Sequence, residues 1–295
     1  MKPNEISFLY GENTYQTAEI EQNDKMIDYE TSANLTYVEM MSVLKGLNVI
    51  SEFYDVNAAV SIHGAGICAA ALSQSLADAV AKVLDSNPID FMSSVIVVSK
   101  EVDSETVRFL KSDNLIVAPS YTKKALEYLQ THDIKYITIK TPLKEYKNYL
   151  SNEIKQTPLG TFIQAPNKSE LDKDTFKVLS KTKPTVEQIE DAVFAWKVAK
   201  HCKSRSIVIA KDLKTSAISQ GLLAASVEYA LDYSCDLSKE SIIAFDTDIT
   251  THDVDVASQG RVSVIILPKA SQEIVKLADK YSMVVIETGH SNTLL

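Results

Sequence analysis

The sequence predicts an α/β fold. Short continuous apolar runs, the pattern of strands buried on both faces, alternate along 295 residues with segments of helical periodicity. Such alternation is an α/β signature, with helices packed against the sheet. A polar stretch rich in Lys, Asn, Asp and Thr, from Lys144 to Lys183, separates two series of these elements. It places a boundary near residue 165 and divides the chain into units 1–165 and 166–295.

Taken in order, Ala58–Ile62, Val95–Val98, Leu115–Ala118 and Tyr136–Ile139 read as strands of the first unit. Ile207–Ile209, Ile242–Ala244, Val262–Leu267 and Met283–Ile286 read as strands of the second. The helices expected between them are Tyr37–Glu52, Ala69–Val83, Ser104–Leu110, Lys123–Gln130, Val186–Lys200, Leu222–Ala230 and Ser271–Lys280. Pro184 and Thr185 read as the stop and cap that open the helix at Val186, with Glu187 in its first turn. Each unit sets a His beside a strand, His63 in one and His201 in the other, a weak echo of a duplicated unit.

Composition narrows the function classes. With 45% hydrophobic residues the chain is globular, and a formal charge of -9 argues against an extended nucleic-acid surface. Cys68, Cys202 and Cys235 are far apart and form no Cys-x-x-Cys pair, so they read as reduced thiols of a cytoplasmic protein. No apolar run approaches a membrane span, and the N-terminus lacks a basic segment followed by an apolar one, so neither membrane insertion nor export is expected. A small-molecule or protein partner is expected instead. A nicotinamide fingerprint, a P-loop and the His-x-Glu and Cys-x-x-Cys ligands of a zinc deaminase are missing, so no metal is expected. Gly64-Ala-Gly66 is too short to be a phosphate loop.

The segment Phe194 to Val208 carries the only Trp and runs from a helix into an apolar strand. Lys200, His201, Lys203 and Ser204 lie at that junction, where α/β sheets place ligands, and would offer donors to a phosphate or carboxylate. The alternative is that they are solvated cations stabilising the last helical turn.

Several ordered segments resemble one family. Phe8-Leu-Tyr-Gly-Glu-Asn-Thr-Tyr-Gln16 is similar to an Arg-Tyr-Gly-Glu-Asn-Pro-His-Gln segment, and Asn87-Pro-Ile-Asp-Phe-Met-Ser-Ser-Val95 to Asp-Pro-x-Ser-Ala-Phe-Gly-Gly-Ile. Ser61-Ile-His63-Gly stands where that family has Lys-His-Ala-Asn-Pro. Glu101 to Thr106, Ile116 to Ser120, Gly160 to Gln164 and Lys183-Pro-Thr185 follow in order. Phe194 to Ser204 agrees nearly residue by residue with Phe-Ala-Trp-Lys-Val-x-Lys-His-x-Lys-Ser. The family is the AICAR transformylase/IMP cyclohydrolase family, in its transformylase portion, and the matches run from Tyr10 to Gly289.

The resemblance implies two cytidine-deaminase-like α/β/α units without the deaminase zinc, assembled as a homodimer with sites at the subunit interface. It implies formyl transfer from 10-formyltetrahydrofolate to the 5-amino group of aminoimidazole carboxamide ribonucleotide, with nucleotide and folate as partners and neither nucleic acid nor membrane involved. The cyclohydrolase portion normally precedes these segments, so ring closure is not expected of this chain. Carried over residue by residue, the match gives His63 a catalytic role in proton transfer. It gives Tyr10, Gly11, Glu12, Asn13, Lys200, His201, Lys203, Ser204 and Asp246 a place in substrate binding, with Arg205 as a new cation. On the residues themselves, Tyr10 to Asn13 form either a ligand loop or a capped structural turn, and Asp246 either a ligand contact or a turn former. His63 is either a general base or a satisfied structural histidine.

The chain departs from the pattern where the chemistry lives. Ile62 occupies the Lys position of the Lys-His pair and can neither donate a proton nor stabilise negative charge. Leu9, Arg205 and Ala225 replace an Arg, an Asn and an Arg. Ser291-Asn-Thr293 replaces Arg-His-Phe, and Asp248-Ile-Thr-Thr251 replaces the Phe-Phe-Pro-Phe region. Two readings follow: a divergent formyltransferase, or a non-catalytic homologue that keeps the dimeric scaffold as a ligand sensor or partner subunit.

Overall fold

The structure, a computed structural model, describes residues 5–21, 26–171, 175–221, 226–292 and 294. The strands β1 (Glu5–Ser7) and β2 (Glu19–Glu21) pair with each other, and β3 (Tyr29–Thr31) precedes helix α1 (Tyr37–Ile50). Then follow β4 (Asn57–His63), β5 (Gly66–Ser73), α2 (Leu76–Ser86), α3 (Pro88–Phe91), β6 (Val95–Val98), β7 (Leu115–Ala118), α4 (Lys123–Thr131) and β8 (Lys135–Ile139). The strands β9 (Glu153–Thr157) and β10 (Gly160–Gln164) form a separate hairpin, and β11 (Lys177–Val178) leads to α5 (Val186–Ala199). The last series is β12 (Ser206–Lys211), β13 (Lys214–Gln220), α6 (Ser226–Ser234), β14 (Ile242–Phe245), α7 (Thr251–Gln259), β15 (Val264–Leu267), α8 (Gln272–Lys280) and β16 (Val284–Glu287).

One twelve-stranded sheet has the order β11-β16-β15-β14-β12-β13-β5-β4-β6-β7-β8-β3. It contains the same motif twice: an antiparallel hairpin, β4–β5 or β12–β13, whose first strand pairs antiparallel with the first of three parallel strands. The halves meet at β5 and β13, which share the single backbone register pair Lys214↔Ala71. Beyond that pair, side chains bridge the seam. Thr215 Oγ1 accepts from the Ala70 N–H at 3.0 Å, and Gln220 Nε2 donates to the Ile67 carbonyl at 2.9 Å.

Helices cover both faces. Val43, Leu47 and Ile50 of α1 pack in one core with Phe194, Trp196 and Val198 of α5, and the Phe53 and Phe194 rings lie 5.6 Å apart. On the other face, α2 and α4 cover the first half, and α6, α7 and α8 cover the second. Residues along β14 alternate between the two cores, Ile242 and Ala244 on one side and Ile243 and Phe245 on the other. That double burial makes the parallel strands uninterrupted apolar runs.

Cap chemistry sets the helix starts. Thr185 accepts from the Gln188 N–H while Gln188 Oε1 accepts from the Thr185 N–H, a reciprocal box that starts α5 one residue after Thr185. Thr36 and Glu39 do the same for α1.

Several expected elements are corrected. The run Ala69–Val83, expected as one helix, is strand β5 through Ser73 and helix α2 from Leu76. Alanine favours helices, but the small side chains of Ala69 and Ala71 let α2 approach the sheet, and burial overrides propensity. Ser104–Leu110 contains only the 3-10 turn Thr106–Phe109. The strand expected from Val262 begins at Val264. The helix expected from Leu222 to Ala230 is observed as Ser226–Ser234, with residues 222–225 outside the described residues. The stretch read as a polar linker carries the β9–β10 hairpin. Helix α7, with a polar sequence and a Thr250–Asp253 capping box, was not foreseen.

Candidate functional site

Strand directions bring the distant segments to one edge of the sheet. His63 ends β4, Gly66 begins β5, Gln220 ends β13 and Ser206 begins β12, while β14, β15 and β16 end at Phe245, Leu267 and Glu287. The antiparallel pairings place all these termini on the same edge. Open α/β sheets bind ligands beyond the carboxyl ends of their parallel strands. A cavity of about 490 Å³ lies beyond β14–β16, with Thr247, Asp248, Lys269, Glu287 and Ser291 in its lining.

At this edge His63 is exposed, and its Nδ1 lies 3.4 Å from Ser93 Oγ. The turn after it is fixed by Gly64 at φ 54 and by the Ala65 N–H donating to Ser42 Oγ of α1 at 3.1 Å. Across the seam, Gln220 Oε1 accepts from the Lys203 N–H at 3.1 Å, tying the post-helical turn to β13. The side chains of Lys203 and Arg205 are exposed. Ser204 Oγ donates to Asp246 Oδ2 at 2.5 Å, and the Ser206 N–H donates to Asp246 Oδ1 at 2.8 Å. Asp246 is 2% exposed, so both of its oxygens serve internal bonds. Ser204 Oγ also accepts from the Leu294 N–H, anchoring the C-terminal residues.

Lys200 and His201 turn inward instead. Lys200 Nζ, on a side chain 2% exposed, donates to Glu52 Oε1 at 2.7 Å and to the Ser169 carbonyl at 2.5 Å. His201 Nε2 donates to the same Glu52 oxygen at 3.2 Å, which assigns the ring proton to Nε2. Lys147 reaches Glu52 Oε2 at 3.3 Å. Burial alone would raise the Glu52 carboxyl, but the hydrogen bonds and charges of His201 and Lys200 outweigh it and hold the group well below the ordinary carboxylate range. Burial lowers His201, partly offset by Glu52. The structure therefore brings together two sets. His63, Lys203, Ser204, Arg205 and Asp246 share the sheet edge, while Lys200 and His201 join an internal ion cluster.

Tyr10, Gly11, Glu12 and Asn13 form a turn at the start of α1. The Tyr10 carbonyl accepts from the Tyr37 N–H at 3.2 Å, and the Asn13 N–H donates to Gln16 Oε1 at 2.9 Å. Gly11 is buried, and a Cβ there would stand 2.9 Å from Gln16 Cβ. Of the departures read from the sequence, Ala225 and Thr293 lie outside the described residues. Ile62 is fully buried in the core beneath α1. Sequence reasoning missed Glu52 and Gln220. Each acts through a partner about 150 positions away, and helical or strand periodicity carries no such signal. Among the described residues, no group of three or more His, Cys, Asp or Glu could hold a metal ion, and no helix is long and apolar enough to cross a membrane.

The three thiols differ sharply. Burial pushes Cys202 up to about 12 against the nearby Lys45 charge, and burial with the Asp90 carboxylate pushes Cys68 up to about 12. Cys235 is exposed. At pH 8 one thiol, Cys235, is expected to react rapidly with an aromatic disulfide reagent in the native protein, and all three after denaturation. Rapid native labelling of Cys202 would contradict the closed packing at the end of α5.

The fold and edge define an α/β protein built on a repeated hairpin-plus-parallel-strand motif, with polar groups gathered at one rim of the sheet. A family model described as the AICARFT/IMPCHase bienzyme matches residues 3–233, and the chain belongs to that family. It is similar to the bifunctional purine biosynthesis protein PurH of Anoxybacillus flavithermus, at 26% identity over 96% of this chain and 58% of the relative. The PurH proteins of Acetivibrio thermocellus and Caldicellulosiruptor saccharolyticus are 29% and 28% identical over 95% of this chain and 57% of theirs. The chain thus spans a little over half the length of these curated relatives. Among solved structures, reduced HcgD from Methanocaldococcus jannaschii aligns at a TM-score of 0.17 with 9% identity over 59% of this chain and 62% of that one, which carries no weight.

Proposed function

We propose that this chain is a divergent transformylase. It moves the formyl group of 10-formyltetrahydrofolate to the amine of aminoimidazole carboxamide ribonucleotide or a related purine precursor. The observation that carries the reading is the position of His63 at the sheet edge shared with Lys203 and the Ser204–Asp246 pair, in a chain of the AICARFT/IMPCHase family. In this reading the amine attacks the formyl carbon and gives up a proton to His63, and the folate nitrogen leaves with a proton returned to it. Ser93, 3.4 Å from Nδ1, orients the imidazole. Lys203 and Arg205 face the nucleotide, and folate serves as co-substrate with no metal.

The repeated strand order supports two cytidine-deaminase-like units divided near residue 165. A homodimer with sites at the subunit interface, in the cytoplasm, completes the proposal. The second reading, a non-catalytic homologue retained as a ligand sensor or partner subunit, is favoured by one observation. Ile62 is sealed in the core and supplies no cation beside His63.

The test is calorimetric titration of the purified protein with the carboxamide ribonucleotide and a formylfolate analogue, separately and together, followed by a turnover assay on the same sample. Binding of both with formyl transfer supports the transformylase. A folded protein that binds neither and turns nothing over supports the second reading.

A further inference from the structure

The hairpin of β9 and β10 stands apart from the twelve-stranded sheet, and its side chains do not suit a solvated position. Every strand residue except Thr157 is exposed. Ile154 and Ile163, opposite each other across the pair, are 63% and 65% exposed, and Leu159 at the turn is 90% exposed. Phe162, on the other face, is bare as well. A lone two-stranded hairpin is marginal in water, and further strands with a shared apolar face are what stabilise it. Contiguous bare apolar side chains of this kind mark a contact surface.

The ladder decides which backbone groups are free. The two-residue turn Pro158–Leu159 is flanked by the pair Thr157↔Gly160. In such a hairpin the flanking pair is hydrogen-bonded, so Thr157, Lys155 and Glu153 bond inward to β10 while the N–H and C=O of Ile154 and Gln156 point to the outer edge of β9. Among the described residues no strand pairs with that edge.

The order of side chains then selects an occupant. An antiparallel second copy of β9 centred on Lys155 would set lysine against lysine, and one centred on Glu153 would set glutamate against glutamate. Centred on Ile154, it sets each Glu153 opposite the Lys155 of the other copy and Ile154 opposite Ile154. The same centre lets the outward groups of the two Ile154 residues bond each other and those of Asn152 bond those of Gln156. Pro158, with no N–H, ends the ladder. The outer edge of β10, from Gly160 to Gln164, carries no charge that would fix a register. With one acid and one base the hairpin is neutral in a chain of charge -9, so two copies can meet there without the repulsion that the rest of the chain imposes.

We propose that β9 is a self-association strand, pairing antiparallel with β9 of a second copy about a two-fold axis at Ile154. The product is a four-stranded sheet with Ile163, Ile154, Ile154 and Ile163 in one row. The inference gives the proposed homodimer a contact surface and requires no formyl chemistry, so a failed turnover assay leaves it standing and its own failure leaves the transformylase reading standing.

The first test is disulfide trapping in the full chain. Ile154→Cys, in a Cys235→Ser background that removes the exposed thiol, is oxidised mildly with copper phenanthroline and resolved by non-reducing electrophoresis. At the axis the two Cα atoms would stand about 5.5 Å apart, within disulfide reach, whereas two Ile163→Cys residues would be three strand spacings, about 14 Å, apart. A linked dimer from position 154 and none from position 163 supports the proposal. No linkage at 154, or equal linkage at both, overturns it. The second test follows self-association by sedimentation at low salt. Glu153 and Lys155 are exposed, so exchanging them leaves folding intact. Glu153→Lys and Lys155→Glu are each expected to weaken the dimer roughly tenfold, through two symmetry-related like-charge pairs, and the double variant to return to within about threefold of the parent. A monomeric parent, single variants that match the parent, or a double variant as weak as the singles overturns the proposal.

Discussion

Glu52→Ala is expected to destabilise the protein by about 3–5 kcal/mol, read as a fall in the urea midpoint at pH 7, because it leaves the Lys200 ammonium buried without its carboxylate. The effect has a pH signature. Burial raises the Glu52 carboxyl, His201 and Lys200 more than reverse this, and the net result is a folded-state value well below the unfolded one. A depressed acid contributes its stability above the unfolded carboxylate value, near pH 4.3, and loses it as pH falls toward the folded one. The parent should therefore lose stability between about pH 5 and pH 3, and Glu52→Gln should show a shallower loss across that window. An Ala variant within about 0.5 kcal/mol of the parent would show that the cluster is a surface feature and not a buried pair.

If the proposed transformylase reading holds, His63→Ala is expected to lower folate-dependent formyl transfer by roughly a hundred- to ten-thousandfold, the usual contribution of a positioned proton-transfer group. Because His63 is exposed, the urea midpoint should stay within about 0.5 kcal/mol of the parent. Ser93→Ala, which removes only the orienting hydroxyl 3.4 Å away, should cost less. Turnover that survives His63→Ala would remove the imidazole from the reaction and leave the sheet edge as a binding surface.

Much of the fold could be read in the order of residues. Val95–Val98 and Leu115–Ala118 are strands at the expected bounds because burial on both faces forces an unbroken apolar run. Thr185 with Gln188 set the start of α5 through local hydrogen bonds that the chain makes with itself. Strand β5 was misread because its alanines look helical in isolation, and only the neighbouring β4 and α2 select the extended form. The candidate site divides in the same way. His63, Lys203, Ser204, Arg205 and Asp246 were visible as residue types beside strand ends. That Lys200 and His201 bend inward to Glu52 was not visible, since Glu52 lies 148 positions from Lys200.

The sequence by itself determined the α/β class, most helix and strand positions and the residues that carry the family resemblance, because these follow from local periodicity, capping and side-chain chemistry. The tertiary structure alone decided which cations face solvent and which are spent inside, how two similar halves join through Thr215 and Gln220, and that Ser42 of α1 holds the turn after His63. Those features depend on strand direction and on contacts between residues far apart in the chain, and the free energy of such a contact belongs to the pair in its shared, desolvated surroundings.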